Sequence, residues 1–311
     1  MRFCYLVQSH TNPVQIGRLV ATLGRQSPGS VIVVAHDSTG CRLERQDLPT
    51  ACELHLLSVP GPMRRGYLSM LDPYFAGLEH LERERVDYGW VIYVSGQDYP
   101  TQPLAGFEAR LTASGADGFL RYWPALSAEG PWQRRHQGKL RYFYQYRDVS
   151  AWAAPLLRLL RGTNSWQKLW HVHRVYGPRL GLRARRTPFE GGRQCYAGWQ
   201  WTNLGRSCTE YLLEASRREP GLVDYYRRTL CPDESLVQTV LLNAGRFRLE
   251  NDNLRYADNQ GARDGRPRIL GLADLETITA GGCAFARKFD LEHDARIFDA
   301  LDQRIDSSTR G

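Results

Sequence analysis

The sequence predicts an α/β fold with a mostly parallel central sheet flanked by helices. Through the first 125 residues, short apolar runs typical of buried strands alternate with segments of helical periodicity. Such alternation is typical of a parallel sheet whose crossover connections are helices. The predicted strands are Phe3–Val7, Val31–Ala35, Glu53–Ser58 and Trp90–Val94, and the predicted helices are Pro13–Leu23 and Tyr67–Leu81.

Polar side chains stand at or near the ends of three of these strands, at Gln8, His10, Asp37 and Asp98. Parallel sheets bind ligands beyond the carboxyl ends of their strands. These four residues are therefore candidates for ligand binding. For the two aspartates the alternative is plain turn chemistry, since Asp-Tyr-Pro is also a good turn sequence.

The composition is that of a globular protein with a sizeable core. The chain has 311 residues, of which 42% are hydrophobic and 24% charged, and we expect a single domain. Its formal net charge is +8. This positive charge favours anionic partners, which could be nucleotides, nucleic acids, phosphorylated sugars or membrane headgroups. The charge alone does not distinguish these partners.

Seven cysteines are scattered along the chain with no Cys-x-x-Cys motif. We expect them to be free thiols in a reducing compartment rather than a zinc or redox site. The opening MRFCYLVQSH lacks the features of a signal peptide, and no apolar run approaches the ~18 residues of a membrane span. The expected location is the cytoplasm.

The middle of the chain is strongly basic. From Arg134 to Arg186 there are thirteen Lys or Arg residues and one acid, Asp148. The interleaved aromatic residues are Tyr142, Phe143, Tyr144, Tyr146, Trp152, Trp166, Trp170 and Tyr176. Helical patterns at Ala151–Leu160 and around Trp166–Val175 predict a partly helical insertion. It has the composition of a surface that tracks phosphates and stacks bases, so nucleic-acid or anionic-polymer binding is the alternative function. An anionic acceptor or an anionic membrane surface would also suit it.

The last third contains a carboxylate in the first turn of a predicted helix. The pattern predicts helices at Ser207–Ala215 and Pro220–Arg228, and Pro232 favours the start of another. Glu234 would then lie where the helix dipole favours a carboxylate, which suits a general base. The alternative is that Glu234 only complements the dipole. A short element at Ala284–Phe289 and a helix near His293–Leu301 follow.

Two basic clusters near the C-terminus could bind phosphate. Arg287 and Lys288 interrupt the apolar segment FARKF, and Arg266 and Arg268 lie in GRPRIL. Paired cations near a strand end suit a diphosphate, although a solvated basic rim would look the same. No metal site is predicted, because no Asp-x-Asp occurs and His171 and His173 stand among basic residues.

Taken together, several segments resemble one family, the core-2/I-branching β-1,6-N-acetylglucosaminyltransferases and peptide O-xylosyltransferases. The matching segments are VSGQDYPTQP, YAGWQWTNLGR, TLCPDESLVQTVLLNAGRF, LRYAD, RPRIL followed by DLE, and FARKFD. They keep the family's order between residues 94 and 290. CYLVQSHTNP and VIVVAHD are similar to its opening strands, and only the basic middle lacks a counterpart.

The resemblance implies a GT-A-like fold and an inverting, metal-independent glycosyltransferase that uses a UDP-sugar. Glu234 would be its general base. Arg268, Arg287 and Lys288 would contact the donor diphosphate in place of a metal ion. Within a single domain 1–311 we expect a nucleotide-binding half (1–125), the basic insertion (126–190) and an acceptor and catalytic half (191–311).

The resemblance also implies roles for residues around the donor and acceptor. Asp37 would contact the nucleotide, with Gln8 and His10 on the same donor side. Arg65 replaces a family aromatic residue that lines the donor site, so the donor sugar stays open, with GlcNAc first and xylose second. The expected sugar and acceptor contacts are Asp98, Trp199, Gln200 and Trp201. The acceptor would be a glycan or another glycosylated molecule.

Overall fold

The computed structural model describes residues 1–49, 52–127, 137–164, 168–260 and 265–309. Within them the chain forms fifteen strands and ten α-helices. The strands are β1 (Phe3–Ser9), β2 (Val31–Asp37), β3 (Glu53–Val59), β4 (Trp90–Ser95), β5 (Asp98–Pro100), β6 (Gly118–Phe119), β7 (Tyr122–Pro124), β8 (Tyr144–Asp148), β9 (Trp170–His173), β10 (Arg179–Arg183), β11 (Tyr196–Gly198), β12 (Asn203–Gly205), β13 (Leu249–Glu250), β14 (Arg255–Ala257) and β15 (Phe285–Arg287). The helices are α1 (Pro13–Gln26), α2 (Asp72–Arg83), α3 (Leu104–Ala113), α4 (Gln137–Tyr142), α5 (Ala154–Arg161), α6 (Arg206–Arg218), α7 (Pro220–Tyr226), α8 (Leu236–Asn243), α9 (Leu275–Ala280) and α10 (Arg296–Thr309).

The central sheet has seven strands in the order β13-β6-β12-β4-β1-β2-β3. Strands β4, β1, β2 and β3 are parallel, as predicted. The other half is mixed, because β12 runs antiparallel to both β4 and β6. Strand β12 follows β11 in the chain with no helix between them. A strand that ran parallel to its neighbour would need a crossover connection, usually a helix, to bring the chain back. The prediction of an α/β fold is confirmed, and that of a mostly parallel sheet holds for one half.

Both faces of the central sheet are covered. Every residue of β1 is buried, which is typical of a parallel strand between two helical layers. Leu6 packs in a core with α2, α6 and α8, whereas Tyr5 packs on the opposite face with α1, α3 and α10. Helix α1 begins as predicted, with the Asn12 side chain accepting a 3.1 Å hydrogen bond from the backbone N–H of Gln15.

Three predicted helices have different bounds. The one expected over Tyr67–Leu81 begins at Asp72, after a 3₁₀ turn at Leu68–Leu71. The one expected from Pro232 is divided: Pro232–Glu234 form a 3₁₀ turn, and α8 begins at Leu236. Ser235 separates them with φ −151° and ψ −40°, outside the helical region. The C-terminal helix near His293–Leu301 is α10, which begins later and extends further.

The basic insertion is not mainly helical. Strands β8, β10 and β9 form an antiparallel sheet in that order, and α4 and α5 accompany it. The helix predicted around Trp166–Val175 is wrong for its described part, because Trp170–His173 is strand β9. Val172 is buried opposite Leu180 of β10, and this period-two pattern overrides the helical spacing. Trp166 and residues 128–136 lie outside the described residues.

A small sheet in the order β14-β15-β5 carries a buried charge cluster. The Asp98 carboxylate lies 3.3 Å from Nη1 of Arg255 and 3.3 Å from Nε of Arg287. Its oxygens also accept hydrogen bonds from the backbone N–H of Ser95 at 3.0 Å and from its hydroxyl at 2.9 Å. The Asp98 side chain is fully buried. One carboxylate therefore fixes β14, β15 and the end of β4 together.

Replacing Asp98 by Asn should lower the free energy of unfolding by about 3–5 kcal/mol, because two guanidinium charges would stay buried without their counter-ion. Urea unfolding followed by circular dichroism measures this loss. Asp299→Asn is the matched control: that carboxylate is 61% exposed and pairs with Arg18 on the surface. Its loss should cost less than about 1 kcal/mol. Equal losses in the two variants would contradict a special role for Asp98.

Candidate active site

Gln8 and Gln200 lie together at the carboxyl end of β1. Gln8 is buried, and its side-chain oxygen accepts hydrogen bonds from the Tyr93 hydroxyl and, at 3.0 Å, from Nε2 of Gln200. Gln200 also donates to the Met70 carbonyl at 3.3 Å. The sequence predicted these two glutamines for the donor and acceptor sides. Tyr93, which joins them, was missed because it is an interior residue of an apolar strand.

Asp37 is bonded to its own loop and to the loop after β3. Its Oδ1 accepts hydrogen bonds from the backbone N–H and the hydroxyl of Thr39, at 2.9 and 2.6 Å, and Oδ2 accepts one from the Met63 N–H at 2.6 Å. Burial favours the neutral acid, but these hydrogen bonds prevail and lower the pKa of Asp37. The carboxylate therefore fastens the loop after β3 to the end of β2.

Arg287 and Trp201 form a stacked pair beside Asp98. The guanidinium of Arg287 lies 4.3 Å from the centre of the Trp201 ring. Trp201 is buried, with 7% of its surface exposed. Trp199 is half-buried, and Arg121 lies 5.9 Å from its ring. Of the two tryptophans predicted to stack on sugars, Trp199 is thus the more accessible.

A cluster of positive charges surrounds Lys288. The segments RPRIL and FARKF run side by side, because the Leu270 N–H donates to the Lys288 carbonyl at 2.8 Å. Burial lowers the pKa of Lys288, and three neighbouring positive charges lower it further. They belong to Arg287, Arg266 and Arg65. We call these four residues the cation cluster.

His10 and Arg268 stand at the margins of this cluster. The pKa of His10 is lowered first by desolvation, then by the charge of Lys288 among others, against the attraction of Asp37. Arg268 is bound by two carboxylates: Asp274 accepts bonds of 2.9 and 2.7 Å and Asp258 one of 2.9 Å. Its guanidinium thus ties Asp258 to Asp274, while the charge of Arg266 acts on Lys288.

Glu234 is paired with an arginine of the insertion. Its Oε2 accepts a hydrogen bond from Nη1 of Arg141, and the Glu234 side chain is 35% exposed. The hydroxyl of Tyr142 lies 3.3 Å from the Cys231 carbonyl and 3.4 Å from that of Glu234, which holds the 3₁₀ turn in place. Arg141 was missed as an individual residue, because the sequence presents it as one of thirteen similar cations.

Asp233, beside Glu234, is a second acid that the sequence did not single out. It is buried, and its Oδ1 has no hydrogen-bond partner among the described residues. Burial raises the pKa of Asp233 to about 7, and the charge of Glu234 also raises it, against Arg141 and Arg65. Arg65 therefore lies close enough to act on both Lys288 and Asp233.

A pocket of about 300 Å³ opens between the loop after β3 and the insertion. Its lining is Arg64, Arg65, Tyr67, Val175, Tyr176 and Arg266. Gly66, with φ +81°, lets the loop approach closely, because a Cβ there would collide with the Tyr176 ring. Burial raises the pKa of the Tyr176 hydroxyl, and the charge of Glu234 contributes. Tyr176 thus lines the pocket and is also affected by the charge of Glu234.

The arrangement can hold an anion close to a pair of carboxyl groups. The cation cluster supplies charge-assisted hydrogen bonds for phosphate oxygens, and Glu234 supplies a proton acceptor. Among the described residues, no group of three or more His, Cys, Asp or Glu side chains is placed to hold a metal ion. His171 lies instead 2.9 Å from the Tyr146 hydroxyl. All seven cysteines are free thiols.

No family model and no curated protein matches the chain. The relationship to the N-acetylglucosaminyltransferases and xylosyltransferases therefore stays a prediction. Within the described residues, no helix has both the length and the apolar character that a membrane crossing requires.

The pKa of Asp233 predicts a pH-dependent contribution to stability. Because its folded pKa lies above the ordinary value of 3.8, the carboxyl group stabilises the fold fully at acidic pH, and this contribution is lost as pH rises through about 7. From pH 5 to 8, wild-type protein should thus lose unfolding free energy relative to Asp233→Asn. Urea titrations at several pH values measure the difference. The matched control Asp224→Asn, at a side chain 73% exposed, should show no such trend.

Proposed function

We propose that this protein is an inverting, metal-independent glycosyltransferase. It would move a sugar from a UDP-sugar to a hydroxyl group of a glycan or glycosylated acceptor. One observation carries the proposal: Arg65 and Arg266 line the same pocket, and the charge of Arg65 reaches Asp233, which adjoins Glu234. The proposed diphosphate site and the proposed base would then be adjacent. The parallel strands that end nearby agree with a nucleotide-binding fold.

The cation cluster suits the diphosphate of the donor. When the bond from the anomeric carbon to the phosphate oxygen breaks, negative charge builds on the leaving group, and fixed cations stabilise it. Lys288, Arg266 and Arg65 are the residues we assign to this role. Arg287, which is paired with Asp98, would hold the neighbouring Lys288 in position. Arg268, which is paired with two carboxylates, would hold the segment RPRIL in position. Side-chain cations would replace the charge of a metal ion.

Glu234 suits the general base. As the acceptor oxygen bonds to the anomeric carbon, its proton would pass to the Glu234 carboxylate while UDP leaves from the opposite face, which inverts the anomer. The bond from Arg141 fixes the direction of the carboxylate, and the side chain stays partly accessible. Gln8, His10 and Asp37 would border the nucleotide. Trp199 and Gln200 would border the sugars, with GlcNAc first and xylose second. Asp98, predicted as a sugar contact, is fully buried between Arg255 and Arg287 and would act only by holding Arg287 in place.

The alternative, a nucleic-acid-binding protein, has weaker support from the insertion. Stacking of bases requires exposed aromatic faces. Tyr142, Tyr144 and Tyr146 are instead buried, each with at most 3% of its surface exposed. Trp152 is 84% exposed but stands among exposed leucines rather than other aromatic residues. We therefore favour the transferase.

Replacing Glu234 by Gln should lower the rate of sugar transfer by about 10²–10⁴-fold, because the amide cannot accept the proton. Product formation from UDP-GlcNAc and UDP-xylose with a panel of acceptors, followed by mass spectrometry in excess EDTA, measures the rate. Binding of UDP by calorimetry should be retained. Wild-type transfer should persist in EDTA, and restoration by manganese alone would refute metal independence.

Glu219→Gln is the matched control for that variant. Glu219 is also paired with an arginine, Arg193, at 2.6 Å, and its side chain is 33% exposed, close to the 35% of Glu234. Transfer should be unchanged in this control. Near-normal transfer by Glu234→Gln would show that another group is the base, and equal losses in both variants would point to a general effect on the fold.

Replacing Lys288 by Ala should weaken UDP binding by about ten- to a hundredfold, because one charge-assisted hydrogen bond contributes roughly 1.5–3 kcal/mol. Transfer should slow as well, since the charge on the leaving diphosphate loses a partner. Calorimetry with UDP measures the affinity. Lys168→Ala, at an exposed lysine of the insertion, should leave it unchanged. Unaltered affinity in Lys288→Ala would remove Lys288 from the donor site.

A further inference from the structure

Exposed apolar side chains are concentrated in the insertion. Of the ten large hydrophobic side chains exposed among the described residues, six lie between residues 152 and 182. They are Trp152, Leu156, Leu159, Leu169, Val175 and Leu182. Single exposed leucines are common on protein surfaces, but a group of this size in one short stretch marks an interaction site.

Three of the six form a stripe on α5 and the 3₁₀ turn before it. Trp152, Leu156 and Leu159 are spaced by four and then three residues, which places them on one side of a helix. They are 84%, 56% and 75% exposed. Leu157, on another side, is buried and attaches the helix to the protein. Helix α5 therefore has two apolar sides. One packs on the protein through Leu157, and the other, which carries Leu156 and Leu159, faces solvent.

The sheet of the insertion continues this surface. Beyond α5, the side chain of Asn164 bonds both the N–H and the carbonyl of Val172 in β9, each at 3.0 Å. The Trp170 indole N–H donates to the Thr163 hydroxyl at 3.1 Å. Leu182, which is 58% exposed, is the direct partner of Trp170 in the sheet. Leu182 therefore lies on the sheet face that carries Trp170, and Trp170 in turn bonds the segment that follows α5.

Positive charge surrounds these apolar side chains. Arg158, Arg161 and Lys168 are exposed in the same segment, as are Arg174 and Arg183. The one acid between Arg134 and Arg186, Asp148, is already engaged, because Tyr67 donates to it at 2.6 Å and Arg179 lies 3.2 Å away. The surface therefore combines apolar side chains with a surplus of cations.

We propose that this surface docks on the headgroup region of an anionic lipid bilayer. Exposed tryptophan and leucine enter the boundary between headgroups and acyl chains, and neighbouring arginines bind the phosphates, as in amphipathic helices that lie in a membrane interface. A nucleic acid would use the cations but leave the leucines in water. Val175 belongs both to this surface and to the pocket lining, so the pocket opens beside the docked face.

Sedimentation of the full-length protein with lipid vesicles tests the proposal. We expect binding to phosphatidylcholine vesicles that contain about 30% phosphatidylglycerol, little binding to pure phosphatidylcholine, and weakening by salt. The double variant Trp152→Ser, Leu159→Ser should bind at least about tenfold more weakly, because two apolar side chains no longer leave water. Val14→Ser, which alters a 71% exposed valine on α1, should bind like wild type.

A second double variant tests the charges. Arg158→Gln, Arg161→Gln should weaken binding to anionic vesicles by roughly fivefold for each charge removed, and should reduce its salt dependence, since basic residues near such a surface attract its phosphates. Thermal unfolding of all variants checks that exposed substitutions leave the fold intact. Three results would overturn the proposal: equal affinity for neutral and anionic vesicles, no loss of binding in the Trp152 and Leu159 variant, or a change of oligomeric state in that variant without any vesicle binding by wild type.

Discussion

The buried carboxylate of Asp98 orders the structure around the site. It compensates two guanidinium groups in the interior, and a charge so placed is tolerated only when its partners are held in position. Asp98 is also the register partner of Arg287 in the small sheet. This pairing fixes Arg287 over Trp201 and directs the next residue, Lys288, to its place beside RPRIL. The position of the cation cluster thus follows from one acid that is not itself exposed to a ligand.

The insertion contributes side chains to the candidate site. It supplies Arg141 to Glu234, and Val175 and Tyr176 to the lining of the pocket. Its Tyr142 holds the 3₁₀ turn through two backbone carbonyls. These contacts hold the backbone from Cys231 to Ser235 in its observed path. The same insertion exposes an apolar and basic surface, so one segment connects the interior of the site with the outside of the molecule.

The sequence predicted much of the fold and part of the site. Strands β1, β2 and β4 can be predicted because each is a nearly continuous apolar run, which is typical of a buried strand. The strand at Trp170–His173 was missed, because four residues hold too little periodicity to outweigh a helical pattern, and its pairing with β10 is a tertiary contact. For the same reason the partners of Glu234, Asp37 and Arg268 could not be read from spacing. Asp233 became notable only through its burial.

The scarcity of lysine gives Lys288 a chemical distinction. Among 41 basic residues of the chain, the lysines are Lys139, Lys168 and Lys288. The arginines around Lys288 and its burial lower the pKa of its ammonium, so a larger share of the amine is neutral and nucleophilic than at an exposed lysine. Arginine, by contrast, stays protonated and unreactive. Lys288 is therefore the one amine among the guanidinium groups of the cation cluster, and its proton is the one that this cluster gives up most readily.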